Sequence, residues 1–79
     1  MIDPALLARA RDGDPAAMRS LLLEAAPTVQ RFATRLCPGA ADAEDARQDA
    51  LYTLTTQLPQ YEGRAAFTSW LYTLVRTAC

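Results

Sequence analysis

The chain has 79 residues, eight basic and nine acidic side chains, no histidine and a formal net charge of −1. That length admits one small domain, near the lower limit for a core that holds without staples. The charge excludes an ordinary autonomous duplex-DNA binder, which is strongly basic, and the missing histidine removes the commonest general base and metal ligand. Half the residues are apolar, with alanine and leucine dominant and β-branched residues other than threonine scarce, so an all-α fold is expected.

No window approaches the roughly 20 apolar residues of a membrane span. The start, MIDPALLARARDGD, lacks the layout of a signal peptide. The expected location is therefore cytoplasmic, with no membrane insertion. Cys37 and Cys79 are far apart and match no metal spacing. The simplest expectation makes Cys37 a small apolar residue at a helix end and Cys79 a residue near an arbitrary chain end, with neither a disulfide nor a reactive thiol.

Asp3-Pro4 predicts an N-cap followed by proline at the first helical position. This helix carries Leu6, Leu7 and Ala10 and stops near Asp12-Gly13. Asp14-Pro15 repeats the start signal. A long helix then sets Ala17, Met18, Leu21, Leu22, Ala25, Val29, Phe32, Ala33 and Leu36 along one stripe. Pro27 inside it predicts a kink or break, because proline removes the bond to residue 23. Pro38-Gly39 ends that element.

Asp42 is the expected N-cap of a third helix over about 42–58, with Glu44 and Asp45 in its first turn to suit the dipole. Its inward face is Ala43, Ala46, Ala50, Leu54 and Leu58, with Leu51 alongside. A loop from Gln60 to Arg64 then opens into an amphipathic helix. Phe67, Trp70, Leu71, Leu74, Val75 and Ala78 form its buried face. No repeat, linker or low-complexity tract interrupts residues 1–79, and the expected fold is a compact three- to four-helix bundle.

Charge is distributed unevenly. All eight basic residues are arginines. Residues 37–59 hold Arg47 against Asp42, Glu44, Asp45 and Asp49, for −3, whereas the flanking segments are each +1. An acidic middle between mildly basic ends predicts two surfaces with different partners. No phosphate loop, nucleophile–base pair or metal spacing is present, so the expectation is a non-enzyme without cofactor or metal.

Two stretches can carry binding chemistry. Asp45, Gln48 and Asp49 fall at i, i+3 and i+4 and share one outward face. They are either a solvated helix start or a docking patch for an arginine-rich partner helix. In the second stretch Phe67, Trp70, Leu71 and Leu74 read as core. Tyr61, Gly63 and Arg64 in the loop, with Thr68, Thr73, Arg76 and Thr77 on the helix, are expected to remain exposed. Such groups can hold a phosphate backbone and an unstacked base.

The order GD, long helix, DAEDARQDALYTL, YEGRAAFTSWLYTLV resembles region 2 of bacterial sigma factors, above all the extracytoplasmic-function (ECF) group. The resemblance rests on D-A-E-D-x-x-Q-[DE] and G-x-x-x-F-x-x-W-L-Y at the expected separation, and it covers nearly the whole chain. It implies a transcription initiation factor domain. One helix of such a domain docks on the β′ clamp helices of RNA polymerase core, through positions that fall here on Asp45, Gln48 and Asp49. The loop and last helix, about 60–79, recognise and help melt the promoter −10 element as single-stranded non-template DNA. By position the DNA-binding set is Tyr61, Gly63, Arg64, Ala65, Phe67, Thr68, Thr73, Arg76 and Thr77, and an anti-sigma factor is a further implied partner.

The sequence departs from the family pattern at several points. The family loop usually reads aromatic-Arg-Gly-Asp/Glu, whereas this one is Tyr61-Glu62-Gly63-Arg64. Thr73 and Thr77 stand where a basic residue and an asparagine are common. A C-terminal −35-binding domain is absent from these residues, so the sequence reads as part of a longer sigma factor. The exchanged loop charges and low basicity leave an alternative open: a sigma-like protein-interaction module with little or no DNA binding.

Overall fold

The computed structural model describes residues 2–79. Its α-helices are α1 (Pro4–Arg11), α2 (Pro15–Leu36), α3 (Ala40–Gln57) and α4 (Phe67–Ala78), with a 3-10 turn at Leu58–Gln60 between α3 and the loop before α4. This is the all-α bundle that composition and periodicity predict.

Both Asp-Pro signals start helices as expected. Asp3 Oδ1 accepts from Ala5 N–H at 3.0 Å, and Asp14 Oδ1 accepts from Ala16 and Ala17 N–H at 3.0 and 3.4 Å. Between them the chain turns in a Schellman geometry. Gly13 N–H donates to the Ala10 carbonyl and Asp14 N–H to the Arg9 carbonyl, each at 3.1 Å. Gly13 sits at φ +98°, the left-handed region that glycine enters without a Cβ penalty. Asp14 thus closes one helix with its backbone and opens the next with its side chain.

The core is built from rows spaced i, i+3 and i, i+4. On α2 these are Ala17, Leu21, Ala25, Val29 and Ala33; on α3, Ala43, Ala46, Ala50 and Leu54; on α4, Phe67, Leu71 and Val75. Alanines dominate the α2 and α3 rows, so those two helices can approach closely where they pack. Leu21, Val29, Leu54, Leu58, Leu71 and Val75 are fully enclosed. Burying each contributes about 1.5–3 kcal/mol relative to exposure. The 3-10 turn delivers Leu58 to the same core and packs against α1.

Three expectations are corrected here. α2 continues through Pro27, so of the kink or break expected there the break does not occur. Proline at that point removes the hydrogen bond to the Leu23 carbonyl, but Pro27 is exposed and Leu23 is 70% exposed, so that carbonyl lies on the wet side of the helix. The N-cap of α3 is Gly39, not Asp42: after Pro38 the chain is extended at φ −139°, ψ 162° and coils at once from Ala40. Asp42 lies three residues into the helix, still near the positive end of the dipole, and Glu44 and Asp45 fall beyond the first turn.

The third correction concerns the cysteines. Cys37 and Cys79 form a disulfide, with their Cα atoms 5.5 Å apart and a sequence separation of 42. Both are helix C-caps. Cys37 N–H donates to Ala33 O at 2.9 Å and Cys79 N–H to Val75 O at 3.1 Å. Packing of α4 against α2 and α3 brings these two ends together, a juxtaposition that spacing cannot announce.

Candidate functional site

On α3 the sequence reading holds in its geometry. Asp45, Gln48 and Asp49 are all exposed, while Ala43, Ala46 and Ala50 on the opposite side are buried. Among the described residues no ion pair engages either carboxylate. Arg47 is two residues from each, which turns it to a different face of the helix. Tyr52, three residues after Asp49, prolongs the same row and is 71% exposed. The patch is therefore two unpaired carboxylates, an amide and a phenol on one rigid helix, a surface suited to guanidinium donors.

The loop before α4 departs from expectation. Tyr61 is buried, at 8% exposure. Its ring lies 4.9 Å from Trp70, tilted by 31°, and 5.8 Å from Phe67, edge on at 70°. Its hydroxyl donates to the Ala65 carbonyl, and the Arg11 guanidinium sits 5.8 Å from its ring centroid. Phe67 is 9% exposed and starts the buried row of α4. Both are in the expected DNA-contacting set, and both are buried rather than exposed. The cause is a cluster of three aromatics whose mutual burial is worth more than exposing one of them.

Gly63 adopts φ +80° at the tip of that loop, with open space around it, so the backbone conformation rather than crowding is what asks for glycine. On either side of it Arg64 Nε and Glu62 Oε1 pair at 3.0 Å, with both side chains largely exposed. The exchanged charges of this loop thus partly neutralise each other. An exposed pair of this kind is worth about 0–1 kcal/mol, so a phosphate can displace the carboxylate from Arg64 at low cost.

On α4, Thr68, Thr73, Arg76 and Thr77 are exposed as expected, and Ala65 is exposed in the loop. Thr73 hydroxyl donates to Trp70 O at 2.6 Å and Thr77 hydroxyl to Thr73 O at 2.9 Å. Both hydroxyl protons are spent along the helix, leaving oxygens to accept from outside. The N-cap of α4 is Ala66, which has no capping side chain. First-turn N–H groups there are open to an acceptor such as a phosphate oxygen.

The sequence reading missed a neighbour of this face. Phe32 of α2 and Tyr72 of α4 meet edge to face, 5.2 Å between centroids and 83° between planes. They line a shallow depression with Thr68, Ser69 and Thr73. Arg31 and Arg35 flank Phe32 in sequence and are exposed, and residues 25–41 contain no acidic side chain. The second half of α2 therefore extends the basic, hydroxyl-rich surface of α4. Its components are 40 residues apart, so only the folded chain unites them. The two surfaces meet where Asp49, Tyr52, Thr53 and Gln57 of α3 and Leu74, Thr77 and Ala78 of α4 line one groove.

Among the described residues no charged side chain is buried, and no group of three or more histidine, cysteine, aspartate or glutamate residues could hold a metal ion. Among the same residues no helix is long and apolar enough to cross a membrane. What the geometry presents is two charge-segregated exposed faces on one helical scaffold. Residues 21–79 match the family model described as Sigma-70 region 2. A search of curated proteins finds no match. The family match spans α3, the glycine loop, α4 and most of α2, the elements that carry both faces, and the chain belongs to the sigma-70 region 2 family of transcription-initiation domains.

Proposed function

We propose that this chain is the region 2 domain of an ECF-type sigma factor, working in the cytoplasm with RNA polymerase core. In this reading Asp45, Gln48 and Asp49 receive basic side chains of the β′ clamp helices. The glycine loop and α4 take the −10 element as single-stranded non-template DNA. The observation that carries it is the separation of charge: unpaired carboxylates on α3, and on the α2–α4 side Arg31, Arg35 and Arg76 with no acidic residue in residues 25–41 or 66–79.

Each face has a distinct physical task. Docking through α3 fixes the domain on polymerase and raises the local concentration of α4 at the promoter. The DNA face then has to offset the few kcal/mol needed to unstack and extrude a base. Arg76, Arg64 once released from Glu62, and the open first turn of α4 supply contacts to phosphate. Ala65 and Gly63 let the backbone come close. Thr68, Thr73 and Thr77 offer hydroxyl oxygens to base edges or sugar. Tyr61 and Phe67 act from beneath, by holding the loop against Trp70. An anti-sigma factor would compete for the same exposed faces.

A second reading is favoured by the Glu62–Arg64 pair, which lowers the charge presented by the loop: a sigma-like interaction module with little DNA binding. Fluorescence anisotropy of a labelled single-stranded −10 oligonucleotide, with and without polymerase core, separates the two. The sigma reading predicts base-dependent binding that needs polymerase and weakens in Arg76→Ala and Thr73→Ala. Binding that is absent with polymerase present, or unchanged in both variants, supports the interaction module instead.

A further inference from the structure

Every residue assigned above to a binding face on α3, the loop or α4, from Asp45 to Thr77, lies inside the covalent ring closed by Cys37 and Cys79. We propose that this pair is a reversible dithiol–disulfide site that sets how firmly α4 is held on the bundle, the oxidised form being the better ordered for DNA. The DNA part of this inference rests on the function proposed above; the redox part rests on the cysteines alone.

The two sulfurs are carried by rigid helix ends rather than by loops. Each cysteine caps its helix and keeps a backbone hydrogen bond to the residue four before it, at 2.9 and 3.1 Å. Their Cα separation of 5.5 Å falls in the range that a disulfide bridges without backbone movement. Core packing by Phe67, Leu71 and Val75 holds α4 in place independently of the bond. Reduction therefore leaves two thiols facing each other, ready to close again, rather than an unfolded chain.

Access is asymmetric: Cys37 is buried and Cys79 is exposed. A thiolate from a dithiol reductant attacks Cys79 Sγ, the Sγ–Sγ bond breaks, and the electron pair leaves on Cys37 Sγ, which takes a proton. The second thiol of the reductant then displaces Cys79 from the mixed disulfide. In sum one protein disulfide and two reductant thiols give two protein thiols and one reductant disulfide; a disulfide oxidant runs the same exchange in reverse.

The bond ties the last turn of α4, which carries Arg76 and Thr77, to the end of α2, beside Arg35. Pre-ordering those donors removes part of the ordering cost of binding. Reduction is expected to loosen that turn and lower affinity for single-stranded DNA, by roughly threefold to tenfold, an ordering loss of one or two immobilised side chains.

The test uses the 79-residue chain incubated either with dithiothreitol or with glutathione disulfide. Thiol titration and intact mass give the redox state, circular dichroism gives helix content, and hydrogen exchange follows residues 71–79. Expected are two thiols and preserved helix in the reduced form, no thiols and slower exchange in the oxidised form, and interconversion in both directions. Cys79→Ser, at an exposed position, should match the reduced form and ignore glutathione disulfide. Thiols that stay free in glutathione disulfide, or equal exchange in the two forms, would overturn the proposal. Oligonucleotide anisotropy with polymerase core then distinguishes the failures. No binding in either form counts against the sigma reading and leaves the redox site standing, whereas equal binding in both forms counts against the switch.

Discussion

Replacing Tyr61 is the sharpest perturbation of the loop, because the residue is buried where its sequence position suggests exposure. The ring is almost fully buried between Trp70 and Phe67. Truncating a buried aromatic to alanine costs about 3–5 kcal/mol through lost burial and the cavity left behind. A 79-residue domain has a stability of only about 4–12 kcal/mol at typical values per residue. Tyr61→Ala should therefore lower the thermal midpoint by roughly 12–40 °C, at about 4–8 °C per kcal/mol for a domain of this size. Tyr61→Phe keeps the ring and loses only the hydroxyl bond to the Ala65 carbonyl, which water can replace at that exposed residue. Its cost should be about 1 kcal/mol or less. Thermal melts followed by circular dichroism measure both. If Tyr61→Ala melts with the parent chain while losing single-stranded DNA binding, the residue is a contact and the reasoning here is wrong.

Other outcomes follow from the same geometry. Gly13→Ala places a Cβ at φ +98° with no steric neighbour, so denaturant titration should show a loss of about 1–2 kcal/mol from backbone strain alone. Reducing the Cys37–Cys79 bond releases a loop with a sequence separation of 42, for which the chain-entropy model gives a loss of about 4 kcal/mol, read as a lower urea midpoint with helix retained in its absence. Arg76→Ala should weaken polymerase-dependent oligonucleotide binding across sequences and reduce the slope of log affinity against log salt by about one.

The helices were legible where a signal is local. Asp3-Pro4, Asp14-Pro15 and Gly13 specify starts and a stop through bonds spanning a few residues, and the alanine stripe of α3 follows from its period. Asp42 and Gly39 show the limit of local reading: both precede apolar residues, and the extended backbone after Pro38 decides between them. Pro27 does not break α2, because the cost of a lost helical bond depends on whether the orphaned carbonyl faces water, which is a tertiary fact. Tyr61 was misjudged because a loop aromatic reads as exposed until Trp70 and Phe67 are known to lie beneath it. The disulfide and the Phe32–Tyr72 pair join residues about 40 positions apart, and no periodicity links them. The α3 patch was the most legible part of the candidate site, since i, i+3, i+4 spacing on a helix fixes a shared face whatever the rest of the chain does.

The central claim is that Asp45, Gln48 and Asp49 form a docking face for a basic partner helix, separate from the core that sustains the fold. It is tested most directly by titrating a peptide or fragment of the β′ clamp helices into the parent chain, Asp45→Arg and Gln48→Ala, with binding read by calorimetry and helix content by circular dichroism. All three side chains are exposed and, among the described residues, no ion pair engages Asp45, so neither substitution should alter helix content or thermal midpoint. The account predicts saturable binding by the parent chain, none detectable for Asp45→Arg and a clear loss for Gln48→Ala. Equal binding by all three folded proteins would contradict it.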